Sequence, residues 1–237
     1  MSRPTFYHPK LDTTDTNVEL LANEASHALK SRRLKIGQDI ILLNGKGLLA
    51  ECIISEVVRK RLIVSINSFK QIKKPDTSLT IATAIPKGER QKVLIDMLTQ
   101  LGVQQIIPLQ CDYSSSNFNQ SSREKWQRIT IESCKQSQQA WLPIIKELLT
   151  VRQLLETFNT NLNVRVIYAD GEGVNMSEIE LKCDHLVILI GPEGGFSALE
   201  LKQLRSAKLT SIKLARAILR TETAAISSAS QYFSSIL

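Results

Sequence analysis

The chain has 237 residues, 43% of them hydrophobic and 22% charged, with a formal net charge of +7. That mix suits a folded protein with a core in one or two domains and argues against a disordered or fibrous chain. No apolar run approaches the roughly 18 residues a membrane span needs, and "MSRPTFYHPKLDTT" at the start contains no apolar secretory segment.

The elements then read in chain order. "GQDIILLNGKGLLAECIISEVVRKRLIVSIN" divides into three short strands, Ile40–Leu43, Leu48–Ile54 and Leu62–Ile66. They are separated by "NGKG" and by the basic stretch Arg59–Arg61, with Gly45 and Gly47 supplying turn conformations that other residues resist. The polar, proline-containing stretch "KQIKKPDTS" reads as a linker. Beyond it strands and helices alternate. "SLTIATAI" is a strand, and "ERQKVLIDMLTQLG" a helix with Val93, Leu94, Met97, Leu98 and Leu101 on one side. "QQIIPL" is a strand, 121–137 a helix, "VRQLLETF" a short helix and "VRVIYA" a strand. "HLVILI" and "SIKLA" are strands flanking the helix "SALELKQLRSA", and 222–236 is the last helix. Alternation of apolar strands with helices predicts a parallel sheet covered on both faces.

Charge is uneven along this order. Residues 1–75 carry 13 Lys and Arg against 7 Asp and Glu, and the remainder 17 against 16. A basic first third beside a nearly neutral remainder points to a polyanionic partner for the front end, or to a solvated basic face. The cysteines, Cys52, Cys111, Cys134 and Cys183, lie far apart. Zinc spacing is absent, no metal is expected, and scattered free thiols suit a reducing cytoplasm.

Three of the ten glycines, Gly191, Gly194 and Gly195, fall in "LIGPEGGFSALE". Ser197 and Glu200 have the spacing of a capping box, so the stretch reads as strand, tight loop and helix. A phosphate-binding Walker loop needs Gly-Lys-Ser/Thr, which is missing, and the dinucleotide fingerprint has a different glycine spacing. Glu193 would repel a phosphate. The loop suits a ligand without phosphate (an adenosine, an amino acid or a cation) or is simply a tight turn. Gly194→Val is expected to abolish ligand binding, by bulk and by strain if φ is positive there. The chain closes on "SIKLARAILRTETAAISSASQYF". Its helix is rich in Ala and Ser, lets another backbone come close, and carries a modest apolar stripe of Ile226, Ala229, Phe233 and Leu237.

Together "LIGPEGGFSALE", "LRTETAA", "PKGERQKVLIDMLTQLGVQQIIPL" and "RPTFYHP" resemble the RsmE family of 16S ribosomal RNA methyltransferases, over nearly the whole chain. The resemblance implies an α/β fold with a trefoil-knotted SPOUT methyltransferase domain over 71–237 and a small PUA-like β-barrel RNA-binding domain over 1–70. It implies S-adenosylmethionine as cofactor, held by Ile190, Gly191, Pro192, Glu193, Gly194, Gly195, Leu214, Ala215, Leu219, Arg220 and Thr221. It implies methylation of N3 of a uridine in 16S ribosomal RNA within the small ribosomal subunit, by a cytoplasmic homodimer. Several positions depart from the family: Gln100 before Leu101, Lys135 and Gln139 in "KQSQQAWLP", and Ala215 and Ala217 before "ILR".

N3 of uracil carries a proton at neutral pH, so transfer needs that proton removed and the anion stabilised. Arg220 is the expected stabilising group, and Glu222 either orients Arg220 or accepts the proton. His8, His27 and His185 are expected to be structural. A single-stranded or flipped-out nucleotide is the expected substrate. Arg3, Arg59, Lys60, Arg61, Lys87 and Arg90 are the expected RNA-binding cations. The rival reading is an RNA-binding protein that kept the fold and lost catalysis, for which cofactor binding is the discriminating measurement.

Overall fold

A computed structural model describes residues 3–158, 163–181 and 183–236. The chain divides into two compact units, one of Met1–Lys74 with Ile131–Leu142, the other of Pro75–Thr130 with Pro143–Leu237.

The front unit contains β1 (Thr5–Tyr7), β2 (Asn17–Glu19), α1 (Ala22–Ser26, running on as a π-helical turn over His27–Ser31), β3 (Asp39–Leu43), β4 (Leu48–Val58) and β5 (Arg61–Gln71). They form a sheet of order β1-β3-β4-β5-β2, parallel between β1 and β3 and antiparallel elsewhere. Alternate residues of β4, namely Leu48, Ala50, Cys52 and Ile54, are buried, as a sheet with one covered face requires. β4 and β5 run longer than their apolar segments suggest, because their outer halves carry polar residues that still pair across the hairpin. The "NGKG" turn receives a separate stretch, 140–142. Gly47 N–H donates to Ala140 O at 2.9 Å, and Trp141 Nε1–H to Ile72 O at 3.1 Å. Lys135 is buried in this unit against Glu24, at 3.0 Å, and also meets Glu132 at 2.9 Å. The unusual lysine thus has a local counter-charge. Removing Lys135 would leave the buried Glu24 carboxylate without its ion-pair partner, at a cost of roughly 3–5 kcal/mol.

The second unit is built on β6 (Ser78–Ala84), α2 (Arg90–Leu101), β7 (Gln105–Gln110), α3 (Gln120–Ser137, whose last residues belong to the front unit), β8 (Ile144–Ile145), β9 (Leu149–Thr150) and α4 (Val151–Phe158). It continues through β10 (Val164–Asn175), β11 (His185–Ile190), α5 (Ala198–Ser206), β12 (Thr210–Lys213) and α6 (Thr221–Ile236). The strands pair in parallel in the order β12-β10-β11-β6-β7-β8, with β9 also on β7. Along β11, Leu186, Ile188 and Ile190 point into a core shared with α2 and α6, and Val187 and Leu189 into one shared with α4 and α5. Both faces are covered, which is why these strands read as continuous apolar runs.

Two helical faces differ from the pattern read in the sequence. On α2 the buried residues are Leu94, Ile95, Leu98 and Thr99, and Val93 and Met97 are 48% and 41% exposed. The helix holds two overlapping apolar stripes one residue apart, and the one that includes Ile95 packs inward. On α6 the buried face is Thr221, Glu222, Ala225, Ser228, Ala229 and Tyr232. Ile226 and Phe233 are only partly buried, and Leu237 lies outside the described residues. The small residues have a local purpose: Ala225 and Ala229 sit in the same core as Leu79, Leu94 and Ile188.

Candidate active site

The parallel register brings the C-terminal ends of β10, β11 and β12 together, where open α/β sheets place their ligands. A cavity of about 280 Å³ opens there. Its walls are the glycine loop after β11, the stretch 214–219 after β12, the first turn of α6, and Ala169, Asp170 and Gly171 of β10. Of the expected cofactor residues, Ile190, Gly191, Pro192, Glu193, Gly195, Leu214, Ala215, Leu219 and Thr221 line it. Gly194 and Arg220 do not, although each lies in sequence between two residues that do.

The walls are fixed by local chemistry. Gly195 closes a turn on Pro192 O at 2.8 Å and has φ +75°, the left-handed conformation that glycine adopts at no steric cost. Ser197 caps α5 by accepting from Glu200 N–H at 3.2 Å, while Ser197 N–H donates to Glu200 Oε2 at 2.8 Å. The expected capping box is therefore formed. Thr221 Oγ1 donates to Gly191 O at 3.3 Å, and Gln231 Nε2 to Leu214 O at 3.1 Å, so α6 holds two walls in place. A Cβ on Gly191 would lie 3.3 Å from the Phe196 ring. Gly194 differs from expectation. Its φ is not left-handed, and a Cβ there would make ordinary contact with Tyr113 Cδ2 at 3.5 Å. The strained position is Gly195 and the crowded one is Gly191.

Sequence reasoning missed the β10 wall. β10 pairs with β12 at Ala169, leaves register, and rejoins at Val174, which pushes Asp170–Gly173 out of the ladder. At Gly173 a Cβ would fall 2.6 Å from the Ile212 backbone, so only glycine fits. The two glycines of "DGEG" inside an apparent strand were the available signal.

Among the described residues the cavity lining contains two carboxylates, Asp170 and Glu193, and no Lys or Arg. Glu193 is held at its edge by Arg90 Nη1 at 2.8 Å. Arg220 is exposed at the start of α6, and its carbonyl accepts from Ala224 N–H at 2.8 Å. Glu222 is 6% exposed, outside the lining, and its Oε2 has no hydrogen-bond partner among the described residues. Among the described residues no histidine lines the cavity. His185 contacts Thr80 Oγ1 through Nε2 at 2.7 Å, and burial, with repulsion from Lys146, lowers its pKa. Burial pushes the Cys52 and Cys134 thiols up to about 12, so both stay protonated packing groups.

The six expected RNA-binding cations separate into two groups. Arg3 pairs with Glu51 at 2.8 Å, Arg61 with Glu19, and Arg90 with Glu193. Arg59, Lys60 and Lys87 are exposed and carry no ion pair among the described residues. Lys30, Arg32, Arg33 and Lys35 are likewise exposed, clustered in "KSRRLK", and were overlooked. Four cations in six residues were the signal.

The match to known proteins agrees with this geometry. Residues 73–232 match the RNA methyltransferase domain, and residues 20–67 the RNA methyltransferase PUA domain. The ribosomal RNA small subunit methyltransferase E of Rickettsia conorii is 35% identical over 231 residues, covering 92% of this chain and 89% of that protein. Its Mycobacterium bovis namesake is 25% identical, covering 93% and 87%. Among solved structures, the ribosomal RNA small subunit methyltransferase E of Neisseria gonorrhoeae, bound to S-adenosyl methionine, superposes with a TM-score of 0.88 over 98% of both chains. At 23% identity that likeness is one of fold. With a family model spanning the sheet and its cavity, and a curated relative matched almost end to end, the chain belongs to the ribosomal RNA small subunit methyltransferase E family of RNA methyltransferases.

Proposed function

We propose that the chain transfers a methyl group from S-adenosylmethionine to N3 of a specific uridine in 16S ribosomal RNA. The observation that carries this is the cavity's chemistry: apolar walls with two carboxylates, Asp170 and the Arg90-paired Glu193, and no Lys or Arg in the lining among the described residues. Such a lining repels phosphate and suits a ligand with an apolar body and cationic centres. S-adenosylmethionine has a sulfonium and an ammonium, and supplies an electrophilic methyl when bound.

The protein's own groups then have defined tasks. Ile190, Leu214 and Leu219 cover the ligand and exclude water, and the glycine loop lets its backbone approach closely. Asp170 and Glu193 meet positive charge. Arg220, beside the lining residues Leu219 and Thr221, stabilises the anion that forms when N3 loses its proton. The buried Glu222 keeps an unpartnered oxygen in the first turn of α6, available to accept that proton through water. The retained cavity argues against a purely RNA-binding role.

Several finer features belong to the same reading. β12 is the sheet's edge strand, yet α6 returns to pack on β6 and β11 in its middle, which supports a trefoil-knotted path for this unit. The front sheet closes as a PUA-like barrel and, with Arg59, Lys60, Arg32 and Arg33 unpaired, supplies salt-sensitive RNA affinity. Val93 and Met97 on α2, and Ile218, 98% exposed at the cavity wall, offer apolar surface for a second copy in a homodimer. Among the described residues no helix is long and apolar enough to cross a membrane, and the enzyme works on small ribosomal subunits in the cytoplasm.

The test is calorimetric titration with S-adenosylmethionine, followed by mass mapping of methylated uridines in ribosomal RNA with and without the protein. Cofactor binding and one new N3-methyluridine are expected. Binding of RNA without cofactor affinity would establish the rival reading.

A further inference from the structure

The segment after β7, Cys111–Ser114, is pinned from several sides. Ser114 N–H donates to Cys111 O at 3.0 Å, and Cys111 N–H to Ser114 Oγ at 2.9 Å. Asp112 N–H donates to Glu200 Oε1 at 3.1 Å, and Ser197 Oγ donates to the Asp112 carboxylate. Cys111, Ser197 and Glu200 are all buried, so the mount is rigid. On it stands Tyr113, 58% exposed. Its side chain leans on Gly194, as the 3.5 Å contact to a notional Cβ there shows. Gly194 lies between Glu193 and Gly195, both of which line the cavity. Among the described residues no other aromatic ring packs on Tyr113, and its immediate neighbours in "DYSSSN" are polar.

A large ring held out in water on a fixed backbone adds little to a core. It suits a planar partner, because aromatic faces pair with other π-systems and a pinned mount loses little entropy on binding. Unpaired bases are read by stacking on aromatic side chains. We propose that Tyr113 is the stacking platform of a base subsite at the cavity mouth, holding an unpaired RNA base beside the glycine loop. This rests on the methyltransferase reading above. The network through Asp112, Ser197 and Glu200 positions the platform from the same helix cap that shapes the cavity, so the base subsite and the cofactor walls share one foundation.

The experiment compares the full chain with Tyr113→Phe, Tyr113→Trp, Tyr113→Leu and Tyr113→Ala. Three quantities are read: half-saturation by a single-stranded RNA carrying the mapped uridine and its flanks, affinity for S-adenosylmethionine, and thermal midpoint. Phe and Trp are expected to stay within about twofold of wild type. Ala and Leu are expected to weaken RNA half-saturation roughly 5- to 100-fold, with cofactor affinity and midpoint unchanged. In an RNA made abasic at the stacked position, the gap between Phe and Ala closes. Wild-type behaviour of the Ala variant, or full rescue by Leu, overturns stacking. Loss of cofactor affinity in step with RNA affinity overturns it too, since Tyr113 would then only brace the glycine loop. RNA binding is measured without cofactor as well. A wild-type chain that ignores S-adenosylmethionine therefore sinks the methyltransferase reading, while the Phe-to-Ala ratio still decides the platform.

Discussion

Two glycine-rich turns in this chain look alike as sequence and differ in what occupies the space that glycine leaves. In "NGKG", Gly45 and Gly47 have φ +72° and +95°, and a Cβ on them would fall 2.3 Å from Leu142 and 2.5 Å from Trp141. Protein fills that space. In "GPEGG" only Gly195 is left-handed, and a Cβ there meets nothing within 4 Å. The space around that turn belongs to a cavity. Glycine pairs therefore mark close approach without saying by what. The first turn is packed by a tryptophan of its own unit, and the second borders a cavity.

The largest effect that sharpens this contrast is expected in the front turn. Gly47→Ala should lower unfolding stability by about 3 kcal/mol, combining overpacking against Trp141 with left-handed strain. Denaturant midpoints measure it, and adding Trp141→Leu should recover part of the loss in a double-mutant cycle. An alanine variant as stable as wild type would mean that Trp141 does not fill the turn. Next comes Arg220→Ala, beside the open turn. The side chain is exposed, so the fold should survive. Single-turnover methylation at saturating cofactor should drop about 10²-fold or more, the scale for removing one preorganised charge-stabilising donor. Arg220→Lys should restore little, because a point charge lacks the planar fork. Near-normal turnover would remove Arg220 from the chemistry.

Smaller effects separate the glycines of the open turn. Gly191→Ala should cost less than about 1 kcal/mol of stability, since the Phe196 ring need give only a few tenths of an ångström. Cofactor affinity should nevertheless fall roughly tenfold by calorimetry, because a methyl now stands in the wall. Unchanged affinity would show that the ligand does not approach Gly191. Gly194→Ala should be the mildest, within about 0.5 kcal/mol of wild type, having neither strain nor collision. Outright unfolding of that variant would overturn the distinction between the two turns.

Much of the second unit was legible because its strands are buried on both faces and its helix is capped by Ser197 and Glu200. Apolar runs and a capping box are local signals. The β1 and β2 strands were not visible: "TFY" and "NVE" are too short for a period, and pairing with β3 and β5 alone makes them strands. The buried stripe of α2 was misplaced because Val93 and Met97 are as apolar as the residues beside them. Only contacts from α6 and the sheet decide which stripe turns inward. At the site, the loop and "LRTET" announced themselves through glycine and charge. Asp170 did not, because its position depends on a register break against β12, a strand 40 residues further along the chain.

The hydrogen bonds from Thr221 to Gly191 and from Gln231 to Leu214 set a sequence in time. β6, begun at Ser78, lies between β7 and β11, so the sheet's middle waits more than a hundred residues for its partner. The cavity waits longer, since two of its walls are tied down by side chains near the end of the chain. A chain emerging from the ribosome therefore acquires its basic front sheet first and its ligand pocket last. Stopping translation before α6 would release a product with its front strands in place and two cavity walls untied. The order of the residues makes the pocket the last part of this unit to be completed, and the walls built earlier must wait for α6.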